Sequence, residues 1–243
     1  MQTLTTPAGT VQIHTLETAF AALAGKINAV GKTPGGTVAL SGGSTPMAFY
    51  RWAAAQKVLA EETLQNVDWL VSDERCVPLA SDDSNFGNAA RELLDPLGVA
   101  AERRHPWPVE LAPAAAAKAF AEEIRQRKTD GGNVFDLCVL GLGDDAHTAS
   151  LWPECPLIGD GGKNWFAATE WPGRGWRLTI TEAGMAACGE IVVLAFGEKK
   201  AAALQAVAHG AAAQRKFPGQ VLRAWPEKVT WLVDEAAAIL QKA

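Results

Sequence analysis

Basic residues are too few in this chain to coat a polyanion. Lys and Arg number 22 against 27 Asp and Glu, a formal charge of −5. No broad positive field is left to neutralise a nucleic-acid backbone, so an anionic ligand has to be held by a few focused cations and backbone amides. Cysteine is sparse as well. Cys76, Cys138, Cys155 and Cys188 show no C-x-x-C spacing, which gives neither a disulfide framework nor a zinc site and fits a reducing cytoplasm. Cys76 and Cys138 lie in or beside apolar runs and read as small buried residues. Of the four histidines, His14, His105 and His209 have no ligand-type neighbours in the sequence, so no metal is expected. No apolar run approaches the roughly 18–20 residues of a membrane span. Residues 1–7 lack the basic patch and apolar core of a secretory leader. These absences predict a cytoplasmic protein without a nucleic-acid or membrane partner.

What is present is an ordinary globular composition, 48% hydrophobic and 20% charged over 243 residues. Short apolar runs at 37–40, 67–72, 134–140, 177–181, 190–196 and 229–233 read as strands. Ala-rich helical stretches near 17–30, 47–60, 85–94, 112–128, 199–209 and 234–242 alternate with them. That alternation predicts βαβ units and a largely parallel sheet. No internal repeat or long low-complexity linker divides the chain, so residues 1–243 are expected to form one domain. The segments 159–163 and 171–176, rich in Gly, read as exposed loops around a short strand. The nine tryptophans are spread along the chain and read as packing residues.

The chemistry-bearing residues fall where apolar runs end, the place where open α/β sheets bind ligands. After the run 134–140 comes Gly141-Leu-Gly-Asp-Asp-Ala-His-Thr-Ala-Ser-Leu-Trp-Pro153. Its Asp145 and His147 make the leading candidate for proton transfer. The same loop satisfies G-x-G-x-x-A, but two carboxylates stand where a pyrophosphate must approach, so a dinucleotide site is rejected. Ser41-Gly-Gly-Ser-Thr-Pro46 reads equally as a tight strand-to-helix turn capped by Thr45, with Pro46 opening the helix, or as an anion cradle at a helix N-terminus. It lacks the Gly-Lys-Ser/Thr ending of a P-loop. Asp73-Glu-Arg75 is a solvated turn or the rim of a site, and alone it favours the turn. Ser84-Asn85 can cap the next helix. Arg177 and Lys200, each beside a strand end, are surface charges by default and otherwise a phosphate clamp.

Six of these segments occur together in one order: Ser41 to Pro46, Asp73-Glu-Arg-Cys-Val-Pro78, Ser84-Asn85, Gly141 to Pro153, Arg177-Leu-Thr-Ile-Thr181 and Gly197-Glu-Lys-Lys-Ala201. In this the chain resembles the lactonase branch of the glucosamine-6-phosphate isomerase/6-phosphogluconolactonase family, from about residue 37 to 234. The resemblance implies a single three-layer α/β/α Rossmann-like domain with a mostly parallel sheet. It also implies a hydrolysis without metal or organic cofactor, acting on 6-phospho-D-glucono-1,5-lactone in the oxidative pentose phosphate pathway. Carried across, Gly42, Gly43, Ser44, Arg177 and Lys200 hold the phosphate, while His147, assisted by Asp145, acts on water. Arg75 lies near the lactone carbonyl, and Asp73 contacts substrate or holds the strand-end loop. The expected partner is the small-molecule lactone, with the protein a monomer or weak homo-oligomer. One position departs from the family: its loop reads Gly-Asp-Gly-His, and Ala146 replaces the glycine before His147. If that residue needs positive φ, alanine costs on the order of 1 kcal/mol.

Two other readings compete. A glucosamine-6-phosphate deaminase shares the sugar-phosphate loops, but its loop continues towards a Phe-Asn-Glu-Pro type of segment and it carries Tyr where Arg75 stands. Here the loop continues Thr148-Ala-Ser-Leu-Trp-Pro153. A non-catalytic sugar-phosphate sensor is expected to carry a helix-turn-helix, for which the 36 residues before Thr37 leave little room.

Overall fold

The computed structural model describes residues 2–127, 132–160 and 162–239. Ten strands occur among them: β1 (Gln2–Thr6), β2 (Gly9–Ile13), β3 (Thr37–Leu40), β4 (Asp68–Val71), β5 (Asp73–Arg75), β6 (Leu137–Gly141), β7 (Phe166–Trp171), β8 (Gly175–Ile180), β9 (Glu190–Ala195) and β10 (Val229–Val233). The α-helices are α1 (Leu16–Gly31), α2 (Ser44–Gln56), α3 (Glu61–Asn66), α4 (Asn85–Ala89), α5 (Pro113–Arg127), α6 (Glu182–Ala186) and α7 (Ala201–Ala208).

Seven strands form the central sheet in the order β1-β2-β10-β9-β6-β3-β4. Only the β1–β2 hairpin is antiparallel; every other neighbouring pair is parallel. Strands covered on both faces need no alternation, and β4 and residues 191–195 of β9 are buried along their whole length. Helices flank the sheet as the alternation predicts. Helix α1 lies across β3, β6 and β10 and turns Phe20, Leu23, Ala24 and Ile27 inward, the i, i+3, i+4, i+7 stripe of an amphipathic helix. From β3 the chain moves outward to β4, whereas from β6 it moves the other way to β9. The carboxyl ends of β3 and β6 therefore open at a topological switch point.

The run 177–181 is a strand, but it belongs elsewhere. Strand β8 sits in a second, three-stranded antiparallel sheet of order β5-β8-β7. This small sheet grows from the carboxyl end of β4, where Ser72 alone separates β4 from β5 and its carbonyl accepts from Ile180 N at 2.9 Å. Beneath it, Trp107 stacks on Phe120 of α5 with ring centroids 4.0 Å apart and meets Phe166 of β7 edge-on. The Trp107 indole donates to the Val71 carbonyl at 3.0 Å.

Several expected helix bounds move. The stretch 47–60 shifts to α2, which starts at Ser44 and stops at Gln56 against Lys57 at φ 49°, and α3 follows beyond it. The stretch 85–94 is α4 continued by a π turn, Ala90–Leu94. No helix forms over 234–239, because the Asp234 carboxylate accepts from Ala237 N at 2.9 Å and from Gly197 N at 3.0 Å, closing a turn; residues 240–242 and Lys128, the ends of two expected helices, lie outside the described residues. Among the described residues no helix is long and apolar enough to cross a membrane.

Candidate active site

Four adjacent parallel strands, β4, β3, β6 and β9, deliver their carboxyl-terminal loops to one cleft of about 250 Å³. Its wall includes Gly42, Gly43, Ser44, Asp73, Arg75, Asn85, Gly143, His147 and Lys200. The glycine loop forms as an anion cradle requires, with one correction. Helix α2 begins at Ser44 with Gly43, not Thr45, in the capping position, and no side chain caps it. Gly43 has φ 100°, which an L side chain rarely adopts. The first amides of a 13-residue helix thus face the cleft without a side-chain cap. Gly42 is required by space: a Cβ there would lie 1.9 Å from Asn85 Oδ1. The loop is anchored by the chain's single tyrosine, fully buried Tyr50. Its hydroxyl donates to the Ser41 carbonyl at 2.5 Å and accepts from Ser41 N at 3.1 Å.

On the β6 loop, His147 Nδ1 and Asp145 Oδ1 are 2.6 Å apart, and the same oxygen accepts from His147 N at 3.1 Å. The bond to His147 holds the Asp145 carboxyl down at about 2, outweighing its partial burial. The carboxylate is therefore ionised at neutral pH and accepts a hydrogen bond from Nδ1–H. That sets the tautomer in which Nε2 is the basic nitrogen. A Cβ on Gly143 would lie 2.0 Å from His147 Nδ1 and 2.5 Å from Asp145 Oδ1, so glycine is what admits the pair. Ala146 has φ 64°: the departure from the family motif does fall on a left-handed position.

Asp73-Glu-Arg75 is not a solvated turn. As β5 it is paired to β8, and Asp73 and Glu74 are 7% and 0% exposed. Glu74 accepts from the amides of Arg75, Asn85 and Phe86 and from Ser84 Oγ, all within 3.0 Å. Burial nevertheless raises its pKa, with the hydrogen bonds only partly offsetting it. Ser84 caps α4 as expected, accepting from Gly87 N at 2.9 Å. Asp73 Oδ2 accepts from Ser150 Oγ at 2.7 Å and is left with acceptor capacity in the cleft wall. Asn85 donates from Nδ2 to the Asp73 carbonyl at 2.8 Å, while its buried Oδ1 has no partner.

Arg75 and Arg177 are register partners across the β5–β8 pair, and like charges directly opposite one another are destabilising. Their hydrogen bonds go to the carbonyls of Asp83 and Trp176. Among the described residues no carboxylate forms an ion pair with either. Burial first, and then Arg75, pull the pKa of Arg177 below its ordinary value. Arg75 lines the cleft; Arg177, its register partner, is not part of the wall. Lys200 lines the cleft from the turn after β9, and its Nζ donates to Asp144 Oδ1 at 2.5 Å. The structure thus gathers Gly42, Gly43, Ser44, Asp73, Arg75, His147 and Lys200 around one space, with Asp145 bonded to His147 and Arg177 paired to Arg75 at its wall. Sequence reasoning missed Gly143, Tyr50, the Asp144–Lys200 contact and the place of Asn85, named only as a cap and a family segment, in the cleft wall. For Gly143 a signal existed in the Gly-x-Gly spacing; the others depend on tertiary packing.

Comparison with known proteins bears on the same segments. A family model described as glucosamine-6-phosphate isomerases/6-phosphogluconolactonase matches residues 13–231. The 6-phosphogluconolactonase of Haemophilus influenzae is 30% identical over 204 residues, 84% of this chain and 86% of that protein. That of Synechocystis is 34% identical over 206 residues, 83% of each. The solved 6-phosphogluconolactonase of Trypanosoma brucei superposes with a TM-score of 0.80 at 25% identity, over 98% of each chain. With its site loops, its sheet order and nine-tenths of its length accounted for in this way, the chain belongs to the glucosamine-6-phosphate isomerase/6-phosphogluconolactonase family.

Proposed function

We propose that the chain hydrolyses 6-phospho-D-glucono-1,5-lactone to 6-phosphogluconate, in the oxidative pentose phosphate pathway and in the cytoplasm. The observation that carries this reading is the composition of one cleft. A carboxylate-oriented imidazole, an uncapped helix N-terminus, Lys200, and an arginine, Arg75, with no carboxylate ion-pair partner among the described residues meet there. A lactone ester is already activated, so a base, an oxyanion donor and a grip on the distant phosphate suffice. Neutral His147 takes a proton from water as its oxygen attacks C1, and ionised Asp145 stabilises the imidazolium. Help of this kind typically contributes roughly 10²–10⁴-fold. Arg75, or amides of the glycine loops, holds the tetrahedral oxyanion, and one such donor is worth around 3 kcal/mol. His147 then returns its proton to the leaving ring oxygen. The Gly42-Gly43-Ser44 amides and Lys200 hold the phosphate, with Arg177 adding its field through the Arg75 pair. Asp73 uses its remaining acceptor capacity on a sugar hydroxyl or holds the loop through Ser150. No metal or organic cofactor is invoked, and the partner is the lactone itself, met by a monomer or weak homo-oligomer.

The test is acid release from freshly generated phosphogluconolactone, corrected for spontaneous opening. Turnover is expected with this substrate, and the non-phosphorylated gluconolactone is expected to lose at least about 10²-fold in kcat/KM through the missing grip. Equal kcat/KM for both lactones would sink the phosphate clamp. Ammonia release from glucosamine 6-phosphate would replace the reading with the deaminase one.

A further inference from the structure

One tryptophan packs where the chemistry is. Trp171 ends β7, and its indole meets the His147 imidazole edge-on, with ring centroids 5.0 Å apart and planes at 77°. The indole is itself held. Trp152, from the same loop as His147, stacks on it at 5.2 Å with an interplanar angle of 16°, and the Arg174 guanidinium lies 4.6 Å from its centroid. A single hydrogen bond to Asp145 fixes one atom of the imidazole and leaves the ring plane free to swing about that contact. An edge-on aromatic neighbour removes that freedom, because the pair has a preferred relative orientation. The small sheet steadies the loop at a further point: Ser150 N donates to Thr179 Oγ1 of β8 at 3.1 Å.

We infer that Trp171 is a positioning residue for His147: with Asp145 it fixes the imidazole in the plane that aims Nε2 at the attacking water, without touching substrate. This rests on the reading of His147 as the base. It also gives the three-stranded sheet a purpose beyond carrying Asp73, Arg75 and Arg177, since one hairpin then orders both the cations and the base.

The experiment compares Trp171→Leu and Trp171→Phe in the full chain, by turnover of phosphogluconolactone and by the ring-proton resonances of His147. Trp171→Leu is expected to lower kcat about 10- to 100-fold, the cost of a small misplacement of a reacting group. KM should stay within about two-fold, because no binding contact is lost. Trp171→Phe is expected to recover most of that loss. The His147 ring protons, shifted in the wild type by the indole ring current, should move toward exposed-histidine positions in Trp171→Leu and part of the way back in Trp171→Phe. Wild-type kcat in Trp171→Leu, or a kcat loss with those resonances unmoved, overturns the inference. Should Trp171→Leu fail to fold, exposed-histidine positions for these protons in the wild type overturn it equally. Failure of the underlying reading looks different: His147→Ala then turns over normally.

Discussion

At the amino ends of the parallel strands, charges meet opposite charges. Asp68, which opens β4, has Arg103 at 3.1 Å and Arg127 at 3.6 Å. His105, 5% exposed, stands between two carboxylates, with Nε2 3.4 Å from Asp68 and Nδ1 3.2 Å from Glu123. The expectation that His105 lacks ligand-type partners is thus corrected by the fold, although the Asp68 contact has ion-pair rather than hydrogen-bond geometry. At the carboxyl ends the pairing is incomplete: His147 meets Asp145 and Lys200 meets Asp144, but other groups there find no opposite charge among the described residues. Two arginines face each other, a buried carboxylate accepts from a serine, and an amide oxygen has no partner. Both ends are built on the same strands, so strand packing does not explain the difference. Ion pairs join charges at both ends, but the carboxyl end also leaves two cations facing one another without a carboxylate among the described residues, and that is where an anionic ligand completes the set.

The largest effect that tests this contrast belongs to His147. Replacing it by alanine should cut kcat at least about 10²-fold with the unfolding midpoint little changed, because among the described residues the imidazole pairs with Asp145 alone and both side chains are partly exposed. Near-normal turnover removes His147 from the chemistry. At the opposite end the pattern should invert. Asp68→Asn leaves Arg103, Arg127 and His105 short of an anion and should cost about 2 kcal/mol of stability, less than a fully buried pair because the arginines are partly exposed. Its kcat should match the wild type, and a kcat loss as large as that of His147→Ala would erase the division between the ends. The pH dependence carries the same signature. Burial pushes the pKa of His105 down, but Asp68 and Glu123 outweigh it and the net shift is upward from 6.5. Its contribution is therefore complete below that value and is lost as pH rises through the folded pKa. Asp68 and Glu123 are held below their ordinary values, so their share is lost as acid protonates them. A urea midpoint that falls above neutrality in the wild type, but not in His105→Gln, is the expected outcome.

Lys200 offers a finer cut. This cleft cation is bonded to Asp144, an exposed carboxylate on the loop that carries His147. A phosphate must displace that partner and then sit beside its charge. Asp144→Asn should therefore lower KM for the phosphorylated lactone about three-fold, the size expected of an exposed pair, and leave kcat within error. A raised KM would mean that Asp144 holds Lys200 in place rather than competing for it.

How much of this could be read beforehand depended on how local each cause is. The parallel sheet followed from apolar runs alternating with helical stretches, and the cleft from charged and glycine-rich loops at strand ends, because both are statements about short segments. The β1–β2 hairpin was missed although Thr6-Pro-Ala-Gly9 is a turn signal, since the flanking polar residues hide the alternation. The runs behind β7 and β8 read as strands, but their union with β5 was missed, because β5 is three residues long and lies about 100 residues from the hairpin it joins, so only tertiary pairing makes it a strand. Asp73 and Glu74 looked solvated for a related reason. Their donors, Ser150, Ser84 and the amides at 85 and 86, arrive from elsewhere in the chain and offset part of the cost of burying the carboxylates.

Backbone strain sharpens the contrast at its smallest scale. Among the described residues four non-glycine positions have positive φ, and two, Ala146 at 64° and Ala149 at 47°, lie in the His147 loop. Ala146 is over-determined: its amide donates to the Gly143 carbonyl at 2.9 Å, and its carbonyl accepts from Gly219 N at 2.8 Å. A left-handed alanine costs on the order of 1–2 kcal/mol, so Ala146→Gly relieves strain. Against that stand the fully buried methyl, worth about 0.8 kcal/mol, and the extra freedom of glycine in the unfolded chain, about 0.4–1 kcal/mol. The two sides nearly cancel, and the stability change should stay under about 1 kcal/mol in either direction. Because the loop's hydrogen bonds are made by backbone atoms that glycine retains, kcat should remain within about two-fold of wild type. A larger kcat gain would show that alanine tilts the imidazole, and a larger loss would show that its methyl helps to seat the loop.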